Sequence, residues 1–269
     1  MSRLAAVQMA SGPNRQANLI EAGRLIADAA RAGAGLVALP ENFGLMGMVD
    51  DDLVTAAEAD GDGPLQAFLA EQARRNGVWL VGGTVPIASA DGRRARPACL
   101  VFDDRGERVA RYDKSHLFDV HLADSGESYT ESRTLEPGDA VVAVDSPFGR
   151  LGLAVCYDLR FPELFRELVD AGAETFIVPS AFTAITGRAH WEVLIRARAI
   201  ENLCYLVAPA QGGYHANGRQ TWGHSAIIDP WGTVLDRLPS GSGVVVADRN
   251  ADYQRSVRRT FPALEHRRR

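Results

Sequence analysis

Three residues that close apolar runs carry side chains able to cooperate in covalent chemistry. GLVALPE ends on Glu41, RVARYDK on Lys114 and LGLAVC on Cys156. Cysteine attacks as the thiolate, so it needs a base to take its proton or a cation to favour the anion. Glu41 can be the base and Lys114 the cation. Lys114 and the backbone N–H of Tyr157 can also receive the negative oxygen that develops when sulfur adds to a carbonyl, each such donor being worth about 3 kcal/mol. The chemistry open to this set is acyl transfer. Taken singly, each residue also has an ordinary reading: cysteine is among the most buried residue types, and an acid and a lysine can form a plain ion pair.

Rigid elements must hold these side chains at strand ends, where they escape the core. Strands are predicted at 4–9 and 35–40, with a helix over 16–32 between them. A second helix, Pro64–Asn76, follows GDGP, where Asp62 can cap and Pro64 suits the first turn, and leads into the strand VWLVGGTVP. ACLVFDDRGERVARYDK reads as a hairpin about DDRG, which breaks the strand–helix alternation, so the sheets must be mixed. A loop over 115–138 precedes a second hairpin, AVVAVDSPFGRLGLAVC. Helices near 162–171 and over 190–201 then alternate with TFIVPS and LCYLVAPA. Three more strands, in HSAIIDPWGTVLDRL and GVVVADRN, are joined by the turns DPWG and PSGSG and precede a short helix. No repeat or linker marks a boundary, so residues 1–269 form one α/β domain, with helices outside two facing sheets. The helix at 190–201 is apolar nearly all round, which implies a second buried face against another subunit.

Composition narrows the function classes. The chain is 46% hydrophobic and 23% charged, which disfavours disorder and a membrane class. With a net charge of −5 and interspersed signs there is no basic face for nucleic acid. The basic tail (Arg258, Arg259, His266, Arg267, Arg268, Arg269) reads as a solvated or docked terminus. MSRLAAVQMA lacks the apolar core of a signal peptide, and the three cysteines are too few and too widely spaced for a disulfide framework, so cytoplasm is the expected address. His116, His121, His190, His215 and His224 lack metal-ligand spacing. No phosphate-binding GxxxxGK[ST] occurs, so neither metal nor nucleotide cofactor is expected, and VGGTV is better explained by close backbone packing.

LPENF, YDKSHLFDV and CYDLRFPE, in this order, resemble the Glu-Lys-Cys signature of the nitrilase (carbon-nitrogen hydrolase) superfamily. The similarity runs from AAVQM through VGGTVP and SAFTAITGRAHWEVLIRARAIEN to WGHSAIIDPWGTVL, essentially the whole chain. It is strongest to the branch that holds amidases for deaminated glutathione and for ω-amides. The resemblance implies a four-layer α-β-β-α sandwich of two mixed sheets that pairs into a homodimer. It also implies a cofactor-free mechanism in which Cys156 attacks, Glu41 is the base, Lys114 stabilises the tetrahedral intermediate and a thioester is hydrolysed. Family members carry a second glutamate after the lysine. YTESRTLEPG places Glu131 there, with Glu127 as second choice, in a role that keeps Lys114 charged.

The implied function is hydrolysis of a small-molecule amide with release of ammonia. Hydrolysis of an N-carbamoyl or nitrile group is the alternative within the superfamily, and a non-catalytic binding protein is the alternative outside it. For substrate binding, Tyr157 flanks the nucleophile. Arg160 can hold a substrate carboxylate bidentately or brace the turn by pairing with Asp158 or Glu163. Phe182 and Thr186, in SAFTAITG, should wall the same rim. Arg188 stands where the branch commonly has proline, which leaves substrate identity open.

Overall fold

Alternation along the first strand sets the layering. In β1 (Ser2–Met9), Leu4 and Ala6 lie in one apolar core, while Ala5, Val7 and Met9 lie in another. A strand buried on both faces reads as a continuous apolar run, as LAAVQM does. This structure is a computed structural model that describes residues 2–122 and 127–268.

After β1 come α1 (Arg15–Arg31), β2 (Leu36–Ala38), α2 (Asp51–Thr55), α3 (Pro64–Asn76), β3 (Trp79–Val81), β4 (Val85–Ala88), β5 (Ala95–Phe102) and β6 (Arg108–Asp113). The middle of the chain holds β7 (Asp119–Leu122), β8 (Glu127–Thr130), β9 (Ala143–Val144), β10 (Leu151–Leu153), α4 (Pro162–Asp170), β11 (Thr175–Ile177), α5 (Ala184–Thr186) and α6 (Glu192–Asn202). It closes with β12 (Tyr205–Ala208), β13 (Ala210–Tyr214), β14 (Gln220–Trp222), β15 (Ser225–Ile228), β16 (Val234–Leu238), β17 (Gly243–Arg249) and α7 (Ala251–Thr260).

One sheet runs β14-β13-β1-β2-β3-β5-β4, with β17 also on β1 and β6 on β5; the other runs β16-β15-β12-β11-β10-β9. Both mix parallel and antiparallel pairs. Leu25 and Ile26 of α1 and Leu65 and Leu69 of α3 pack on the first sheet beside Val37 and Leu80. Phe165 of α4 and Ile195 and Ala199 of α6 pack with Phe176 and Leu206 of the second sheet. Each fully buried side chain of this size contributes about 1.5–3 kcal/mol. The result is an α-β-β-α sandwich of four layers.

Local chemistry explains most boundaries. Asn14 caps α1 through the N–H of Ala17, and α3 opens on Pro64 and ends at Gly77 with φ 61°. The cap of α3 is Glu58, not Asp62: its carboxylate accepts the N–H groups of Leu65 (2.6 Å) and Gln66 (3.2 Å). Part of the expected loop over 115–138 is a polar hairpin, β7 against β8, while residues 123–126 of that expectation lie outside the described residues. The turn PSGSG carries the chain from one sheet to the other, since β17 pairs along its whole length with β1 rather than with β16. Helical structure at α6 begins earlier than expected, through α5 and a wide turn over Gly187–Trp191. Gly187 permits this because a Cβ there would lie 2.2 Å from the Trp222 side chain. Ile195 faces its own core at 1% exposure, whereas Val193 is 69% exposed. Among the described residues no helix is long and apolar enough to cross a membrane.

Candidate active site

Two separate segments, around Val81–Thr84 and at Gln211, hold the turn that carries Glu41. Beyond β2, the N–H of Leu39 still bonds the carbonyl of Val81 at 2.9 Å. Asn42, with φ 57°, donates its N–H to Thr84 Oγ1 (2.8 Å), and Gln211 Nε2 donates to the carbonyl of Glu41 (2.9 Å). Gly83 has φ 55°, and a Cβ on it would fall 2.0 Å from the carbonyl oxygen of Pro40. VGGTVP is therefore the close approach that seats Glu41. Lys114 follows β6, its N–H bonded to the carbonyl of Pro97 (3.0 Å) and its carbonyl to the N–H of Gly138 (2.9 Å).

Cys156 opens a 3-10 turn, Cys156–Arg160, directly after β10. Its φ is 48°, in the left-handed region, which costs a residue with a Cβ about 1–2 kcal/mol. Its N–H bonds the carbonyl of Pro179 at 2.9 Å. Asp158, fully buried, holds the elbow from inside. One carboxylate oxygen accepts Val155 N–H (2.8 Å) and Tyr112 O–H (2.7 Å). The other accepts His116 N–H (3.0 Å) and lies 2.7 Å from His116 Nδ1. The cysteine turn is thus tied to β6, whose continuation bears Lys114. Sequence reasoning offered Asp158 only as a partner for Arg160 and missed this brace.

The functional atoms converge. Lys114, 1% exposed, places Nζ 2.9 Å from Glu41 Oε1 and 2.9 and 3.1 Å from the two carboxylate oxygens of Glu131. Glu131 also accepts the N–H of Phe118 at 2.8 Å, and Glu127 accepts the Tyr129 hydroxyl instead. Burial opposes the charge on Lys114, but Glu131 and Glu41 outweigh it and hold the ammonium well above its usual range. Burial pushes Glu41 up, Lys114 pulls it down, Glu131 repels it, and the net direction is up. The Cys156 thiol, hydrogen-bonded to Glu41, is pushed well up by burial and by the Glu41 charge, against Lys114 and the N–H of Ala181. Burial and the neighbouring Glu41 thus both favour the thiol form of Cys156. Among the described residues no cluster of three His, Cys, Asp or Glu side chains could hold a metal ion.

A cleft of about 840 Å³, counting its open mouth, exposes Glu41, Glu131 and Cys156, with Lys114 behind them. Tyr157, Arg160, Phe182 and Thr186 line it. The Arg160 guanidinium lies 5.3 Å from the Phe182 ring and 5.7 Å from that of Tyr157, with Nη1 3.2 Å from His190 Nδ1. It pairs with neither Asp158 nor Glu163, which corrects the bracing alternative. Phe118, Tyr129 and Arg219 complete the wall. Phe118 sits inside the HLFDV motif and was within reach of sequence reasoning. Arg219 lies in the turn-forming stretch HANGRQ, where no periodicity marks it. Cys99 and Cys204 are fully buried, and burial pushes Cys204 up to about 12 and Cys99 higher.

Residues 3–259 match the model of the family described as carbon-nitrogen hydrolase. The chain belongs to the carbon-nitrogen hydrolase family. It is 45% identical over 267 residues to a deaminated glutathione amidase of Synechocystis sp., covering 98% of this chain and 97% of that protein. The crystal structure of the C. elegans NitFhit protein superposes with a TM-score of 0.92 at 36% identity; 99% of this chain is covered, and it spans 65% of that longer chain. A mutant of the amidase from Nesterenkonia sp. AN1, showing Michael addition of acrylamide at its active-site cysteine, has a TM-score of 0.81 at 27% identity, covering 98% of this chain and 100% of that one. This carbon-nitrogen hydrolase is thus an enzyme whose reaction class is hydrolysis of an amide C–N bond.

Proposed function

We propose that this enzyme hydrolyses amides of small carboxylic acids, deaminated glutathione foremost, through a thioester on Cys156. The observation that carries this reading is the convergence of buried Glu41, Lys114 and Cys156 with part-exposed Glu131 at the floor of one cleft. Glu41 takes the thiol proton as sulfur adds to the carbonyl carbon. That transfer neutralises Glu41 just as negative charge appears on the carbonyl oxygen. The Lys114 ammonium, relieved of one carboxylate partner, turns its field to the oxyanion with the N–H of Tyr157 beside it. Glu131 keeps its hold on Lys114 and prevents loss of the positive charge. Glu41 then returns the proton to the departing nitrogen, and the C–N bond breaks. A water molecule, activated by the same carboxylate, releases the acid and restores the thiol.

The leaving group follows from the substrate. A primary ω-amide gives ammonia. Deaminated glutathione gives a peptide amine, so ammonia release alone would miss it. Arg160, stacked on Tyr157 and Phe182 beside the nucleophile, suits a carboxylate on the acyl half. The test is a screen of deaminated glutathione, α-ketoglutaramate, simple amides, nitriles and N-carbamoyl amino acids, following both ammonia and free amine. Turnover led by the two keto-acid amides is expected. Turnover led by nitriles or carbamoyl compounds would overturn the assignment. The enzyme is further expected to work as a homodimer in the cytoplasm.

A further inference from the structure

We propose that Arg219 binds a second, distal carboxylate of the substrate, so that the cleft selects amides carrying an anion on each side of the scissile bond. This rests on the thioester-amidase reading above.

An aromatic arc lines the cleft. The Arg219 guanidinium lies 5.0 Å from the Tyr129 ring, Tyr129 lies 5.1 Å from Phe118, and Phe118 lies 5.0 Å from Tyr157, whose ring is 5.7 Å from Arg160. Each end of the arc is a guanidinium stacked on a ring, and stacking leaves the in-plane N–H edge for planar acceptors. Asp50 Oδ1 holds one nitrogen of Arg219 at 3.1 Å, while Asp50 Oδ2 lies 3.4 Å from Arg133. Asp50 thereby fixes the direction of Arg219 without enclosing it, and the Arg219 side chain stays 40% exposed.

Arg160 ends the 3-10 turn that starts at Cys156, so it serves the acyl half. The leaving half then extends along Phe118 and Tyr129 toward Arg219. Deaminated glutathione fits this pattern, with a 2-oxo acid carboxylate at one end and a glycine carboxylate at the other. A primary ω-amide such as α-ketoglutaramate engages Arg160 alone.

The experiment compares deaminated glutathione with its analogue amidated at the glycine carboxylate, using wild type, Arg219→Gln and Arg219→Lys. In wild type, kcat/KM for the acid should exceed that for the amidated analogue about tenfold or more, mainly through KM. In Arg219→Gln the ratio should fall to near one, and Arg219→Lys should restore part of it. Equal use of both compounds by wild type, or an equal loss on both in Arg219→Gln, would overturn the proposal. Hydrolysis of α-ketoglutaramate but of neither tripeptide would also overturn it while leaving the amidase reading standing. Failure on all three would overturn both.

Discussion

The proposed mechanism needs Glu41 as a carboxylate, a charge that burial disfavours. Its folded pKa is raised, so the folded state binds the proton more tightly than the unfolded chain does. Stability therefore falls as pH rises from the unfolded value of about 4.3 through the raised folded value. Glu41→Gln removes the charge, keeps the size and leaves Lys114 paired with Glu131. We expect its melting temperature at pH 7 to equal or exceed that of wild type while acylation drops at least about 100-fold. A clear loss of melting temperature would contradict the assignment. Lys114→Met should do the opposite to stability. It leaves buried Glu41 and part-buried Glu131 without their cation, a loss of about 3–5 kcal/mol measurable by urea unfolding. The Lys114 pKa is raised too, so its contribution is complete below about pH 10.4 and is lost only as pH climbs through the folded value. Because the base must be unprotonated, the acid limb of kcat/KM should lie above the ordinary carboxylate range, and a limb near pH 4 would count against Glu41.

At the scale of elements, the convergence of Glu41, Lys114 and Cys156 was legible because an apolar run stopping at a polar residue places that residue at a rim. Gly82 and Gly83 were legible as a close approach for the same kind of local reason. What escaped was anything set by distant partners. Asp158 acts through Tyr112 and His116, which lie 46 and 42 positions away. The α3 cap comes from seven residues upstream, and the left-handed conformation of Cys156 has no glycine to announce it. In the β7–β8 hairpin only DVHL alternates, over four residues, while ESYT adds a single aromatic, so the period-2 signal was short. Asp158→Asn tests the brace, since it keeps the shape but turns an amide N–H₂ against donors. Far-UV circular dichroism should stay at wild type while kcat falls about tenfold or more. Unchanged kcat would show that the elbow stands without it.

At the scale of the whole molecule, the outer surface bears an apolar patch. Val193 and Ile200 of α6 are 69% and 43% exposed, and Trp231 and Phe261 are 56% and 50% exposed with rings 5.7 Å apart. Gly232, next to Trp231, abuts Ile200, which joins the two pairs. A two-fold pairing through this patch is the simplest closed assembly. α6 also reaches the Cys156–Arg160 turn, because Arg198 donates to the carbonyl of Leu159 at 2.7 and 3.0 Å. Val193→Asp should convert a dimer to a monomer in sedimentation at micromolar concentration and lower kcat; a charge at Ile195, which faces the protein's own core, would test folding instead. A wild-type chain that sediments as a monomer would contradict the dimer, and a fully active monomeric variant would contradict the coupling. Covalent attack by Cys156 is tested by mass spectrometry of acid-quenched enzyme during turnover of deaminated glutathione. A mass gain equal to the acyl group is expected on the peptide that contains Cys156, and neither adduct nor product from Cys156→Ala. An adduct on Cys99 or Cys204, or turnover by Cys156→Ala, would contradict it.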